Sequence, residues 1–130
     1  MTLQFVNPHR LPQPTGYTHV VEATGTRTIY ISGQVALDAD GNVVGPGNMR
    51  AQALQVFANL QAALEAVGAN FNDVAKLTLF VLDVSQMAVV REVRDQYVNG
   101  PQPPASTAVE VRRLVRDEFL IEVEAVAVVS

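Results

Sequence analysis

The sequence predicts a single α+β domain, residues 1–130, in which two helices pack on one face of a β-sheet. Two observations predict this class. Apolar residues recur with the period of a helix in two segments, and they alternate with period two in the segments before, between and after these. In chain order the elements are ββ-α-β-α-ββ. A chain of 130 residues suits one domain and needs no metal or disulfide to stabilise its core.

Composition and charge exclude several classes of function. Hydrophobic residues form 48% of the chain and cysteine is absent, which excludes disulfides, thiolate nucleophiles and zinc–thiolate sites. The histidines are His9 and His19 alone, so we expect no histidine-rich metal site. A net charge of −4 disfavours nucleic-acid partners. Apolar stretches are too short for a membrane span and the N-terminus is unlike a signal peptide, so we expect a cytoplasmic protein.

The N-terminal half predicts an extended arm, two strands and a long helix. Residues 7–16 contain three prolines and a glycine, which favours an arm. Residues 17–22 and 28–32 have the β-branched and aromatic composition of strands. Asn48 can cap a helix that ends at Gly68. The apolar face of this helix consists of Ala53, Val56, Phe57, Leu60, Leu64 and Val67.

The next two elements are a strand and a shorter helix. Residues 74–84 alternate along one strand, with Leu77, Leu79 and Val81 on one side. Asp83 or Ser85 can cap the helix that follows. The apolar face of that helix contains Val90, Val93 and Tyr97.

The last two strands, residues 106–111 and 119–129, are predicted to form a hairpin with its tip at 116–118. One face of the final strand is wholly apolar and is expected under the helices; it comprises Ile121, Val123, Ala125, Ala127 and Val129. The opposite face is aliphatic apart from two carboxylates, and comprises Leu120, Glu122, Glu124, Val126 and Val128. Two helices can cover only one of these faces, so we expect a second copy of the chain to cover the other.

Glu122 and Glu124 have two interpretations at this stage. They can be edge or rim charges that discourage aggregation of the sheet. If their face is an interface between subunits, the two carboxylates lie about 7 Å apart in an aliphatic setting. A desolvated pair of that kind suits general acid–base catalysis.

Four segments carry a resemblance to a known family. Ile31-Ser32-Gly33-Gln34 is similar to its Ser-Gly-Gln strand end, and Gln52 with Asn59 matches the pattern of its first helix. Val109-Glu110-Val111 and residues 121–127 are similar to its C-terminal strands. In this order, and over nearly the whole chain, the segments resemble the RidA/YjgF family of reactive-intermediate (enamine/imine) deaminases.

The resemblance implies a chorismate mutase-like fold with a mixed sheet, a homotrimer with three clefts between subunits, and hydrolysis of small imines without a metal or organic cofactor. By position it assigns the water-orienting glutamate to Glu122, with Glu124 beside it. It assigns the substrate-contacting strand end to Ser32 and Gly33, and an aromatic side chain of the pocket to Tyr17.

The chain departs from the family pattern in three places. Ser106 stands where the deaminases have an arginine that binds the substrate carboxylate. Thr15-Gly16-Tyr17-Thr18-His19 stands where Gly-Pro-Tyr-Ser-Gln is usual, and two residues are missing before Pro103-Pro104. A hydrogen bond to a charged group contributes about 1.5–3 kcal/mol and a neutral one about 1. Losing the arginine can therefore weaken binding of a carboxylate about ten- to a hundredfold. Arg91, on the second helix, can supply a cation instead, or it is a solvated charge near Glu92 and Asp95.

Two functions from different classes follow. The first is hydrolytic deamination of a small imine or enamine in a cleft between subunits. The second is a non-catalytic trimer that binds a small metabolite as a sensor. A third, ribonuclease, is disfavoured by the acidic charge and by the lack of a suitable histidine pair. The predicted site comprises catalytic Glu122 and the substrate-binding residues Tyr17, Ser32, Gly33, Arg91, Ser106 and Glu124.

Overall fold

A computed structural model describes residues 2–130 of the chain. In chain order it contains β1 (Leu3–Val6), β2 (Val20–Ala23), β3 (Arg27–Gln34), α1 (Met49–Ala66), β4 (Val74–Val81), α2 (Met87–Arg94), β5 (Ala105–Glu110) and β6 (Ile121–Val129). The two helices and the mixed β-sheet confirm the predicted α+β class. Within the described residues, neither helix combines the length and apolarity that a membrane span requires.

The main sheet has its strands in the order β3-β6-β4-β5. Strand β6 is antiparallel to both of its neighbours, β3 and β4, whereas β4 and β5 are parallel. Strands β3 and β4 therefore run in the same direction on either side of β6, and helix α1 connects them. Helix α2 connects β4 to β5, since parallel neighbours need a crossover. Strands β1 and β2 form a separate antiparallel pair.

Both helices pack on the same face of the main sheet. The face of β6 predicted to be apolar is buried there, with Ile121, Val123 and Ala127 inaccessible to solvent. These side chains share one core with residues of both helices, namely Val56, Phe57, Leu60 and Leu64 of α1 and Met87, Val90 and Val93 of α2. Burying each large apolar side chain contributes about 1.5–3 kcal/mol, so this core accounts for the position of the helices.

The predicted ends of α1 are confirmed, whereas the predicted cap of α2 is wrong. Asn48 caps α1, because its side chain accepts a hydrogen bond from the N–H three residues further on (3.0 Å). Gly68 follows α1 with φ of 75°, the left-handed conformation that favours glycine. Neither candidate for the second cap lies at the start of α2, which follows Gln86 and has no side-chain capping bond. Asp83 instead caps the short 3-10 turn Val84–Gln86 that precedes α2, where it accepts hydrogen bonds from the Ser85 hydroxyl (2.6 Å) and N–H (2.9 Å). These two bonds, of which the one from the hydroxyl has the larger effect, hold the pKa of Asp83 below its usual value.

The hairpin predicted for the last two strands is wrong. Strand β5 pairs in parallel with β4, and β6 lies on the other side of β4, so residues 111–120 cross between the two. Residues 116–118 do form a local turn, in which the Phe119 N–H donates to the Arg116 carbonyl (3.2 Å). The physical reason is that β4 and β6 both bury their inner faces under the helices and therefore take the two central positions, whereas β5, four of whose six residues are exposed, takes the edge.

The strand predicted over residues 17–22 is shorter than expected, and β1 was not predicted at all. Thr18 does not belong to the strand, because it is bonded to the segment before β5. Its N–H donates to the Pro104 carbonyl (3.2 Å), and its hydroxyl donates to the Pro103 carbonyl (2.5 Å). Strand β2 therefore begins at Val20. Strand β1 has only four residues, too few to show a clear alternation.

Two polar side chains of α1 hold the ends of the two neighbouring strands β3 and β6. Gln52 is fully buried; its Oε1 accepts from the Leu120 N–H (2.8 Å) and its Nε2 donates to the Glu118 carbonyl (2.8 Å). Asn59 Nδ2 donates to the carbonyls of Val35 (3.1 Å) and Leu37 (3.0 Å). The helix thus fixes the chain just before β6 and just after β3.

Replacing Gln52 with the apolar, similarly shaped methionine is expected to lower the free energy of unfolding by at least about 2 kcal/mol, because it leaves a buried N–H and a buried carbonyl without partners. Urea denaturation at one fixed protein concentration measures this. The matched control is Gln61→Met, since Gln61 is exposed on the same helix. Equal stability of the two variants would contradict the anchoring role of Gln52.

Candidate functional site

Glu122 lies at the start of β6, on the face of the sheet opposite the helices, where it pairs with Phe80 of β4. Its side chain lies directly over Gly33 of β3. A Cβ atom added to Gly33 would be 2.7 Å from Cδ and 2.8 Å from Cγ of Glu122, closer than real Cβ atoms approach other groups. Gly33 has no left-handed φ, so glycine is needed here for space and not for its backbone conformation. The pairing of Gly33 with Glu122 is therefore a steric fit.

A β-bulge brings the Ser32–Gly33 segment to this glutamate. Ile31 pairs with Ala125 and Gln34 with Val123, so Ser32 and Gly33 both stand opposite Glu124. Such an insertion leaves one residue out of the ladder and re-aims the strand, and bulges are common beside active sites. The strand end that was predicted to contact substrate is thus irregular, and it lies against the predicted catalytic carboxylate.

The face that carries Glu122 is not covered by either helix. Tyr30 of β3 lies on it with 80% of its surface exposed, and Val126 of β6, its partner in the ladder, is half-buried. Lys76 of β4 and Thr107 of β5 lie on the same face, joined by a hydrogen bond from Nζ to Oγ1 (2.7 Å). Glu124 is exposed there and Glu122 is half-buried. The face therefore has the mixed apolar and acidic character that the sequence predicted.

The other predicted site residues lie on the helix side of the sheet. Ser106 and Ala108 of β5 are in register with Leu77 and Leu79 of β4, whose side chains are buried beneath the helices. A cavity of about 210 Å³ lies between this part of β5 and helix α2. It is lined by Thr15, Tyr17, Leu79, Met87, Arg91, Arg94, Ser106 and Ala108. We call it the α2 cavity.

The site residues therefore form two separate groups within one chain. Glu122, Glu124 and the Ser32–Gly33 bulge lie at the uncovered face, whereas Tyr17, Arg91 and Ser106 line the α2 cavity. One small molecule cannot touch both groups of the same chain, because the sheet lies between them. Within residues 2–130, no three carboxylate or imidazole side chains come together as a metal site.

Arg94 is a candidate binding residue that sequence reasoning missed. Its side chain is only 11% exposed, and its Nε and Nη2 donate to Asp95 Oδ1 at 3.1 and 2.9 Å. The guanidinium lines the α2 cavity and lies against Gly16, where a Cβ atom would be 2.6 Å from Nη2. The sequence feature that could have identified Arg94 is its position four residues after Val90, on the apolar face of α2. A charged residue on such a face is a candidate for a binding role.

Known proteins resemble this chain over nearly all of its length. The family model described as Endoribonuclease L-PSP matches residues 8–129. The chain is 36% identical over 130 residues to a RutC family protein from Synechocystis, with 98% of each chain covered. It is 40% identical over 102 residues to the 2-iminobutanoate/2-iminopropanoate deaminase of Mus musculus, which covers 78% of this chain and 74% of that protein.

A solved structure shares the fold closely. YyfB from Yersinia pestis, a protein of unknown function of the conserved Rid protein family, superposes with a TM-score of 0.93. The two sequences are 34% identical, and the match covers 99% of this chain and 100% of YyfB. The arrangement of two helices on one face of a mixed sheet is therefore common to both proteins.

The contact between Gly33 and Glu122 is testable by a double-mutant cycle on the free energy of unfolding. Gly33→Ala is expected to cost about 1–3 kcal/mol in the wild type, as overpacking does, because the new methyl group displaces the glutamate. In a Glu122→Ala background most of that cost should disappear.

The control for this cycle is Gly100→Ala, since a Cβ atom at Gly100 meets nothing within 4 Å. That substitution should be close to neutral in both backgrounds. A Gly33→Ala cost that is the same with and without the Glu122 side chain would show that the two residues are not in contact.

Proposed function

Because this chain belongs to the RidA/YjgF family, whose matching model is described as Endoribonuclease L-PSP, we propose that it hydrolyses small reactive imines to carbonyl compounds and ammonia. The observation that carries the proposal is the position of Glu122, half-buried against the Ser32–Gly33 bulge. Relatives named as 2-iminobutanoate/2-iminopropanoate deaminases, at 32–40% identity, support this reaction class.

In the proposed reaction the carboxylate of Glu122 accepts a hydrogen bond from a water molecule and takes its proton as the oxygen bonds to the imine carbon. Glu122 gives this proton to the imine nitrogen, which yields a neutral tetrahedral carbinolamine with one hydroxyl and one amino group. Glu122 then takes the hydroxyl proton and transfers it to the amino nitrogen as the C–N bond breaks, so that the products are a carbonyl compound and ammonia and the carboxylate is regenerated. A positioned general base of this kind contributes about 10²- to 10⁴-fold to a rate. The bulge supplies backbone groups that can hold the substrate next to the carboxylate.

The proposal also places the complete site between subunits of a homotrimer. The uncovered face bears the aromatic side chain of Tyr30, which is 80% exposed, with the aliphatic Val126 beside it. Exposed apolar side chains of this kind are typical of a surface that another chain covers. The two groups of site residues lie on opposite sides of the sheet in one chain. A neighbouring copy can bring its own α2 cavity to the Glu122 of the first, so that one cleft contains both groups.

The catalytic role of Glu122 is tested with imines generated in situ from several amino acids by an amino-acid oxidase, with release of the 2-oxo acid followed over time. Wild-type protein should accelerate release, and Glu122→Gln should lose that acceleration by about 10²- to 10⁴-fold, because an amide cannot take the proton. The control is Glu65→Gln, an exposed glutamate on α1. Full activity of Glu122→Gln would exclude it as the base.

The alternative function is a non-catalytic trimer that binds a metabolite, and the replacement of the family arginine by Ser106 favours it. The same assay separates the two functions. Tight binding of a small ligand with no acceleration of release from any imine would support the sensor. Ribonuclease activity is disfavoured because His19 is held against the arm. Its Nε2 lies 2.8 Å from the Pro12 carbonyl, and its ring packs against Tyr17.

Assembly through the uncovered face predicts that Tyr30→Glu dissociates the protein into monomers, because it puts a charge into an apolar interface. Analytical ultracentrifugation should show this change together with the loss of imine hydrolysis. Val115→Glu is the matched control, since Val115 has a similar exposure of 82% but lies in the loop before β6. A trimer that survives Tyr30→Glu would exclude this face as the interface.

A further inference from the structure

We propose that the α2 cavity binds the carboxylate group of the ligand through Arg94 and Arg91, with neutral hydrogen bonds from Ser106 and Tyr17. The inference rests on the proposed function in one respect, since it makes the substrate an imino acid and the product a 2-oxo acid. It assigns a binding role to Arg94, whose guanidinium is the one charged group among the described residues that is buried.

The charges around the α2 cavity are unbalanced. Arg91 and Arg94 are three residues apart on α2, so their side chains leave the same flank of the helix. The carboxylates that could neutralise them are largely engaged: Glu92 bonds to Arg50 of α1 (2.5 Å), and Asp95 bonds to Arg94. Among the residues that the structure describes, Arg91 has no ion-pair partner. The cavity therefore carries an excess of about one positive charge.

Burial makes this excess charge significant for Arg94. A buried cation is costly unless it is paired and its donors are satisfied. Asp95 engages Nε and Nη2 of Arg94 but is itself mostly exposed, at 62%. The Nη1 donors make no hydrogen bond to another residue within residues 2–130, and they are open to solvent, since no buried side-chain nitrogen or oxygen in that range lacks a partner. A carboxylate in the cavity would complete both the charge balance and the hydrogen bonding.

The size and remaining lining of the cavity favour a small organic carboxylate. Its volume of about 210 Å³ admits a molecule of a few carbon atoms beside its waters. Ser106 and Tyr17 supply hydroxyl groups, while Leu79 and Met87 give an apolar wall. One excess positive charge matches a monoanion better than it matches phosphate. An adjoining cavity of about 340 Å³ is also lined by Arg91 and Arg94, so the same pair can accept a ligand with a longer side chain.

The test is isothermal titration calorimetry with pyruvate, with its uncharged analogue pyruvamide, and with inorganic phosphate as probes. Wild type should bind pyruvate at least tenfold more tightly than pyruvamide and more tightly than phosphate. Arg94→Met and Arg91→Met should each weaken pyruvate binding about tenfold or more and leave pyruvamide binding unchanged. The charge-matched control Arg116→Met, in the loop before β6, should leave both affinities as they are.

Arg91→Met keeps the inference testable if Arg94→Met does not fold, because Arg91 is exposed. Equal affinity of the wild type for pyruvate and pyruvamide would overturn the inference, and so would an unchanged affinity for pyruvate in Arg91→Met. Phosphate that binds as tightly as pyruvate would overturn the assignment of a carboxylate ligand. If pyruvate binding depends on the arginines but no imine is hydrolysed, the proposed deaminase function is wrong and the carboxylate site stands. If imines are hydrolysed but binding does not depend on the arginines, only the proposed carboxylate site is wrong.

Discussion

The packing of helix α1 against strands β3 and β6 is the constraint on which the rest of the structure depends. Gln52 and Asn59 make their hydrogen bonds with the backbone just before β6 and just after β3. Since these strands are antiparallel, the beginning of one lies beside the end of the other. One helix therefore fixes both chain segments at the same end of the sheet. Glu122 and the bulge lie at that end, so their contact depends on the helix.

Features of the fold that depend on local patterns could be predicted from the sequence, and features that depend on the choice of strand partner could not. The periods of α1 and β6 identified their buried faces, because alternation is a property of each element by itself. The predicted pairing of β5 was wrong, because the alternation of apolar and polar residues along β5 is the same whether its neighbour is β4 or β6. The crossover through α2 and the burial of β4 and β6 under the helices decide this pairing, and both are properties of the packed sheet.

The candidate site divides in the same way. Glu122 could be found because a carboxylate on a largely aliphatic strand face is unusual, and Gly33 because it belongs to a recognisable strand end. Their steric fit required a bulge, which shifts the register by one residue and leaves no distinct sequence pattern. The separation of Ser106 from Glu122 depends on the register of β5 against β4. Arg94 was missed because burial of a charged group is decided by its neighbours in space.

Two departures from the family pattern, Ser106 and Gly16, are physically connected to Arg94 in this chain. Ser106 lacks the charge that an arginine on β5 would bring to the α2 cavity, and Arg94 faces the same cavity from the opposite wall. Arg94 has its guanidinium directly against Gly16, where a Cβ atom would lie 2.6 Å from Nη2. A proline there, which has a Cβ, would force the guanidinium to move. The Arg94 guanidinium is thereby held between a helix and an arm without regular structure. The shape of this cavity is consequently coupled to the packing of the arm, which Thr18 fixes to the segment before β5.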